Sequence, residues 1–552
     1  MSDRSTTPDP RAAVTARLTA PGAALEITCE PVRGIPMPVF RNRRHTLPEL
    51  LLESARYGDS EYLICGDTRW SFAEHLDRVA SLSHALRTTH GIGKGDRVAI
   101  LAANCAEWIL TFWATTSLGA IAVGMNSMWS AREIAYGMQH CTPALVVADA
   151  SRRDLLGAVE APVLSIESDI SRLATDTPGK LLPTTEIDED DPAVILYTSG
   201  TTGRPKGAVH SHRNMIAAVD FYRLNEAVAA ELGSAPGTRR FLLATPLFHI
   251  AALHNLAVPR LALGDTAVIH TGRFDIDRVL RLIETERVTN WGAVPTMLHR
   301  LLEHGDLSGY DLSSLRTISV NSAPSSASFK KRLREALPVA GRSLGTSYGL
   351  TESSTAATFA TAADLQERPD TVGTPVPTMN VQIRDEHGEP VSDGTEGEIC
   401  LRGPLVMLGY WNNPEATAAA IAADGWMRTG DLGTMNDGYL WVSSRRSDLI
   451  LRGGENVYPI EVENALSEHP AVRECAVLGV AHADLGQEVC AVVVTADTDP
   501  VGAEELSAFV TERIARYKVP TRWEITTEPL PRNATGKVKR LEVVRAYAGT
   551  GG

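Results

Sequence analysis

From Tyr197 to Gly207 the chain reads YTSGTTGRPKG. An apolar run, Ala193 to Tyr197, delivers the backbone into a turn built from hydroxyls, glycines and two cations. Glycines such as Gly200 and Gly203 let backbone N–H groups crowd around phosphate oxygens. The hydroxyls of Thr198, Ser199, Thr201 and Thr202 add donors at short reach, and Arg204 and Lys206 offset negative charge. The spacing does not fit GxxxxGK[ST], so this is a phosphate cradle of another kind. A short Gly/Ser/Thr stretch on its own also makes ordinary turns; an eleven-residue string of this composition is far more specific.

Other residues with chemical potential lie downstream. Glu352 closes SYGLTE, and a hard cation prefers such a carboxylate oxygen. Asp431 sits in GWMRTGDLG, and one carboxylate can accept two hydroxyl hydrogen bonds. Lys537 opens the basic segment KVKR, which composition alone would read as a solvated charge run.

Positioning such residues takes more than one core, and 552 residues predict two or more domains. From Leu47 onward helical patterns alternate with short apolar strands (DRVAIL, IAVGM, ALVVAD, AVILY, TAVIH), the texture of an α/β chain with largely parallel sheets. Trp108 to Met125 carries no charge and reaches the length of a membrane span. Its threonines and glycines, and the strand Arg97 to Leu101 before it, predict strand, buried helix and strand instead. Asn436-Asp437-Gly438 between apolar runs predicts a hairpin. Beyond Arg445 the pattern turns to a compact α+β unit with strands near Cys475–Val480 and Val489–Thr495 and a helix near Ala503–Tyr517. We therefore expect an unstructured arm over 1–22, a large domain over 23–445, a hinge at 446–448 and a small domain over 449–552.

The net charge of −14 excludes a nucleic-acid-binding class, which needs clustered Lys and Arg to displace counterions. The seven cysteines show no CxxC pair, so neither a disulfide framework nor a zinc site is expected. No secretory h-region follows the N-terminus, and the reading is a cytoplasmic protein with no transmembrane segment.

The cradle resembles the signature of the adenylate-forming superfamily, which includes acyl- and aryl-CoA synthetases, luciferase and peptide-synthetase adenylation domains. The resemblance recurs in order over roughly residues 50–545, through ATPLFHIAALH, SYGLTES, GWMRTGDLG, RGGENVYPIEVENAL and PRNATGKVKR. It implies ATP, Mg²⁺ and coenzyme A as cofactor and co-substrates, with a small carboxylic acid as partner, and leaves a homodimer open. Thr198 to Lys206 would hold the ATP phosphates, Glu352 the metal, and Thr351 a phosphate oxygen. Tyr348 would stack on adenine, Asp431 would accept the ribose hydroxyls, and Arg445 would add a nucleotide contact at the domain boundary. Lys537 would be the catalytic lysine bridging the carboxylate and the α-phosphate. Ser322, Ala323 and Pro324 would border the nucleotide, and Gly453 and Gly454 would line the pantetheine channel after the small domain swings. The family pivot is usually Asp or Lys. Here it is Ser447, which cannot make the same charged contacts, so the balance between the two half-reactions is open.

The same resemblance places His249 as a gate where acyl group and thiol meet, with Ile250, His254, Gly292, Val320, Asn321 and Gly349 around the acyl group and Trp291 beside them. Amino-acid activators carry Asp at the position of Ile250, so an apolar residue there argues against an α-amino acid. The expected reaction is activation of a fatty or aryl acid to acyl-AMP with pyrophosphate release, then transfer to coenzyme A. The alternative is an adenylate former with another nucleophile or substrate: a carrier-protein thiol, an amine, or nitrite in a diazotisation.

Overall fold

The computed structural model describes residues 10–198, 204–233, 237–321, 325–445, 448–452, 455–482, 485–496, 501–533 and 536–548. Two large sheets dominate the chain up to Arg445. In the first, strands Ile121–Gly124, Arg97–Leu101, Leu145–Ala148, Val163–Ser165 and Pro192–Thr198 run parallel, and Lys206–Ser211 and Gly409–Tyr410 close one edge antiparallel. In the second, a parallel centre built from Glu61–Cys65, Thr266–Ile269, Arg240–Leu243, Asn290–Ala293, Thr317–Val320 and Gly345–Tyr348 is flanked by antiparallel edges. Parallel strands need helical crossovers and burial on both faces, which explains the near-continuous apolar strands. The α/β class read from the sequence is the class observed.

The uncharged stretch from Trp108 resolves as expected. Helix Ala106–Ser117 buries every side chain except Glu107 between strands Arg97–Leu101 and Ile121–Gly124. Two of its hydroxyls are satisfied within the helix, Thr111 donating to Glu107 O at 2.7 Å and Thr116 to Phe112 O at 3.0 Å. Among the described residues no helix is long and apolar enough to cross a membrane.

Local chemistry fixes the ends of elements that carry the site. Ser211 accepts from Asn214 N at 3.2 Å while Asn214 Oδ1 accepts from Ser211 N at 2.9 Å, a reciprocal cap that starts helix His212–Glu231. The Asn214 amide then donates to Pro404 O and Val406 O, tying that helix to the run leading into Tyr410. At the hairpin, Asp437 (φ 50°) and Gly438 (φ 78°) adopt the left-handed pair of a type I′ turn. That turn sets the register of Asn436 to Gly433 on Tyr439 to Val442, and a bulge between Leu432 and Gly433 then shifts it by one residue and puts Asp431 directly opposite Arg445.

Two expectations are corrected. Residues 10–22 are not an unstructured arm: Pro10–Leu18 is helical, Val14 and Leu18 pack near Phe40, Leu224 and Val228, and Arg17 pairs with Glu231 at 3.0 Å. The helix expected over Ala503–Tyr517 ends at Thr511. A 3₁₀ turn, Arg516–Lys518, follows, because the Lys518 ammonium is drawn to Glu461 at 2.7 Å and Arg452 donates to the Tyr517 carbonyl.

The unit beyond Asp448 is a separate α+β layer. Strands Ile450–Arg452, Glu455–Val457, Val472–His482, Gly486–Thr495 and Arg522–Thr526 form one sheet, with helices Pro459–Ser467 and Ala503–Thr511 over its own apolar core. Residues 446 and 447, expected to belong to a hinge, lie outside the described residues.

Candidate active site

The cradle closes where Lys206 pairs with Thr198 across the two strands; Ser199, Gly200, Thr201, Thr202 and Gly203 lie outside the described residues. Arg204 lies over the Tyr136 ring at 5.6 Å, whereas the Lys206 ammonium sits 4.9 Å from the centroid of Tyr410. The Tyr410 hydroxyl in turn donates to Glu352 Oε1 at 2.8 Å. Glu352 stands in the 3₁₀ turn Thr351–Ser353, half-buried like Thr351, and Met407 N donates to its carbonyl at 2.9 Å. Lys206 and Glu352, from two different elements, thus share one aromatic residue.

A second group forms around Asp431. The Tyr348 hydroxyl donates to Oδ2 at 2.8 Å and Arg445 Nε donates to Oδ1 at 3.1 Å. Burial pushes the Tyr348 phenol far above its usual range and Asp431 adds to that, so it remains a donor. Burial works against the Arg445 charge, but Asp431, Asp448 and Glu352 outweigh it and hold its pKa above the usual value. Each Asp431 oxygen retains a free lone pair for a ligand hydroxyl.

Lys537 arrives from the small domain. Its backbone N–H donates to Asn533 Oδ1 at 2.9 Å, and the preceding carbonyl of Gly536 accepts from Thr296 Oγ1 of the large domain at 2.8 Å. Arg532 also donates to that carbonyl and pairs with Glu474 at 2.8 Å. The side chain is exposed along the cleft. Its ammonium nevertheless meets enough protein, with the Arg445 charge beside it, to pull its pKa down to about 8; Asp431 and Glu352 pull the other way. His249 stands at the N-cap position of helix Ile250–Ala252 without a side-chain cap bond. Burial, reinforced by Lys537, takes its pKa to about 3 and keeps it neutral. One ammonium from the small domain therefore acts on four site residues of the large one.

The acyl side is read from strand parity. Gly292 pairs with Ser319 and these lie on one face, with Asn321 and Ser347 continuing it. Ser347 donates to Asn321 Oδ1 at 2.9 Å and Asn321 Nδ2 donates to Ser319 Oγ at 3.0 Å. Val320 and Trp291 point the other way, fully buried in the core of the second sheet, because alternate strand residues face opposite sides. Val320 and Trp291 therefore do not share the face of Gly292 and Asn321, as expected for one pocket wall, whereas Ser319 does. Ile250 is half-buried against the first core, and His254 is 1% exposed. Gly349 has no room for a side chain, since a Cβ there would meet Thr355 O at 2.3 Å. Ser322, Ala323, Pro324, Gly453 and Gly454 lie outside the described residues.

Tyr410, Ser319, Ser347 and Thr296 escaped the sequence reading. Tyr410 had a weak signal in GYWNNPE, but its partners come from other strands.

A magnesium ion fits this site. Among the described residues no group of three His, Cys, Asp or Glu side chains converges, so a metal here would rest on Glu352 with substrate phosphates and water, the habit of Mg²⁺ rather than of a caged ion.

The family model for AMP-binding enzymes matches residues 52–411, and that for the AMP-binding enzyme C-terminal domain matches 461–537. A feruloyl-CoA synthase from an Amycolatopsis species is 37% identical over 87% of this chain and 95% of its own. An indoleacetate–CoA ligase from Aromatoleum aromaticum is 34% identical over 87% and 93%. The solved structure of Bacillus subtilis o-succinylbenzoate coenzyme A synthetase with ATP and magnesium is 31% identical, with a TM-score of 0.77 over 89% of this chain and 98% of that one. The chain belongs to the AMP-binding enzyme family, the adenylate-forming class that its motifs resemble. Within that class it is an acyl-CoA synthetase, a ligase that spends ATP to activate a carboxylic acid.

Proposed function

We propose that the substrate is an aryl carboxylic acid, converted first to its acyl-adenylate and then to the coenzyme A thioester. The observation that carries the adenylation step is the Lys537 turn docked on Thr296 of the large domain, which brings its ammonium within electrostatic reach of Glu352, Asp431, Arg445 and His249. In that step a carboxylate oxygen attacks the α-phosphorus, the bond to the β-phosphate oxygen breaks, and pyrophosphate leaves with the electron pair. Two anions must approach, so positioned positive charge supplies most of the acceleration. Lys537 neutralises the carboxylate and α-phosphate oxygens together, and neutral His249 packs beside it without adding a competing charge. Asp431, braced by Tyr348 and Arg445, holds the ribose. A bound magnesium ion would neutralise phosphate oxygens from the Glu352 side.

The aryl assignment is supported by the polar wall Ser319–Asn321–Ser347, a poor surface for a long alkyl tail, and by the two relatives named for aromatic acids. The thiol of coenzyme A then attacks the acyl carbon and AMP leaves, with the small domain turned about 446–448. The same reading carries a cytoplasmic enzyme, and sedimentation distinguishes monomer from homodimer. The test is pyrophosphate release against a panel of aryl and fatty acids, with and without coenzyme A, products followed by mass. Thioester products from aryl acids support the proposal; a fatty-acid preference overturns the aryl assignment, and a product formed without coenzyme A overturns the acceptor.

A further inference from the structure

Behind the reaction centre three site segments meet at a pair of buried histidines. His210 follows Lys206 on its strand, His254 lies in the helical run that starts at His249, and Ser354 comes two residues after Glu352. His210 is 0% and His254 1% exposed, with ring centroids 4.8 Å apart and one ring edge-on to the other. Ser354 serves both: its carbonyl lies 3.0 Å from His254 Nδ1 and its hydroxyl 2.8 Å from His210 Nδ1. To do so its backbone adopts φ 58°, a left-handed conformation that a non-glycine residue pays for.

The bonding fixes a tautomer. A carbonyl can only accept, so His254 Nδ1 carries the proton. Burial drives the pKa of His254 to about 3 and that of His210 well below its usual value, so both rings are neutral. His254 Nε2 is then a bare acceptor, and it has no hydrogen-bond partner among the described residues; His210 Nε2 lacks one too. Two fully buried polar atoms without partners, on adjacent rings, are costly unless something satisfies them.

We propose that His254 Nε2, with His210 beside it, is the specificity element for a hydroxyl at the far end of the acyl group, so that the enzyme favours ring-hydroxylated aryl acids. The partner must donate to His254, which excludes an ether, a carbonyl or a carboxylate. If the Ser354 hydroxyl donates to His210 Nδ1, His210 Nε2–H is a donor, and only a group that both gives and takes a hydrogen bond suits the pair. A neutral hydroxyl does so without burying charge. The placement suits it: His254 lies five residues beyond His249 on one continuous segment, where helix Ile250–Ala252 runs into the wider turn Leu253–Ala257. Asn255, the next residue, is engaged by the Thr355 hydroxyl, so the floor around the pair is held.

This inference rests on the aryl-acid reading, and the experiment separates them. kcat/KM for acid-dependent pyrophosphate release is measured for 4-hydroxycinnamate against cinnamate and 4-hydroxyphenylacetate against phenylacetate, in the wild type, His254→Leu and His254→Gln, with thermal melts confirming folding. The expected result is a wild-type preference for the hydroxylated member of at least about tenfold, lost in His254→Leu and partly restored in His254→Gln, whose amide offers both donor and acceptor. Because Gln keeps the polar character, it serves as the test variant should Leu fail to fold. Turnover of aryl acids with no hydroxyl preference, or equal losses for both members of a pair in the variants, overturns this inference alone and marks the pair as a site for structural water. Absence of turnover with every aryl acid overturns the aryl-acid reading and this one with it.

Discussion

The hydroxyl of Tyr410 donates to Glu352 Oε1 at 2.8 Å while its ring lies 4.9 Å from the ammonium of Lys206. One side chain therefore orients the carboxylate that would hold magnesium and rests against the cation that would hold phosphate. Its strand makes this possible: Gly409–Tyr410 pairs with Lys206–Ser211, so Tyr410 is fixed by the same sheet edge that closes the cradle.

Removing only the hydroxyl isolates the first of these duties. Tyr410→Phe keeps the ring beside Lys206 but frees Glu352, and a hydrogen bond to a charged group contributes about 1.5–3 kcal/mol. We expect adenylation to fall by about tenfold or more, with a higher magnesium concentration needed for half-maximal rate. Tyr410→Leu should cost more, since the cation also loses its aromatic face. Pyrophosphate release titrated with magnesium checks both; an unchanged magnesium requirement in Tyr410→Phe would show that Glu352 needs no such bracing.

Asp431 is braced from both sides, and the two braces should differ in kind. Tyr348→Phe removes one donor, and we expect the KM for ATP to rise by roughly 3–10-fold with kcat nearly unchanged, because a ribose contact stabilises ground and transition states alike. Asp431→Ala leaves Arg445 and Tyr348 without their common partner and should weaken ATP far more. Steady-state kinetics with ATP as the varied substrate separates the two; a Tyr348→Phe variant that lost kcat instead would move that residue into the chemistry.

Much of this was legible in the sequence because it depends on short strings. Asn436-Asp437-Gly438 announced a hairpin, but a bulge at Leu432/Gly433, which no short string signals, completes the register that sets Asp431 against Arg445. The resemblance supplied Glu352 and Lys537, though composition would have called Lys537 one cation in a basic run. Sequence reading failed where strand parity or sheet pairing decides the answer. Val320 and Ser319 are neighbours, yet one is buried in the core and the other faces the cleft. Tyr410 is far from Glu352 in sequence, and only the sheet edge brings them together. The N-terminal helix was missed because its order comes from apolar contacts with the helix at Leu224 and Val228, not from its own polar composition.

The depressed pKa of Lys537 gives adenylation a pH signature. The reaction needs the charged ammonium, which in the free enzyme predominates below about 8 and is lost above it, as desolvation and the Arg445 charge both favour the neutral amine. The kcat/KM for pyrophosphate release should fall as pH rises through about 8, with no inflection from His249, neutral down to about 3. Lys537→Ala should abolish pyrophosphate release while ATP still binds. Lys537→Arg, charged throughout, should lose rate but also lose that alkaline fall. A wild-type profile flat to pH 10 would contradict the assignment.

The placement of Lys537 depends on the residue before it. Gly536 has φ 76°, a left-handed conformation that costs a side-chain-bearing residue roughly 1–2 kcal/mol. A Cβ there would also meet Thr296 Oγ1 at 2.3 Å, the same hydroxyl that donates to the Gly536 carbonyl. Gly536→Ala should thus push the Lys537 turn off the large domain without touching the cradle, Glu352 or Asp431. The two half-reactions should then separate. Pyrophosphate release should drop by at least about tenfold, the cost of a lost interdomain hydrogen bond plus backbone strain. Thioester formation from a synthetic acyl-adenylate, which does not need Lys537 in the cleft, should change little. Thr296→Ala, which removes the hydroxyl but leaves a Cβ 2.8 Å away and so relieves only part of the clash, should restore part of the adenylation rate when combined with Gly536→Ala. Equal losses in both half-reactions would mean that the contact between Thr296 and Gly536 supports the fold of the small domain rather than the pose in which it delivers its lysine.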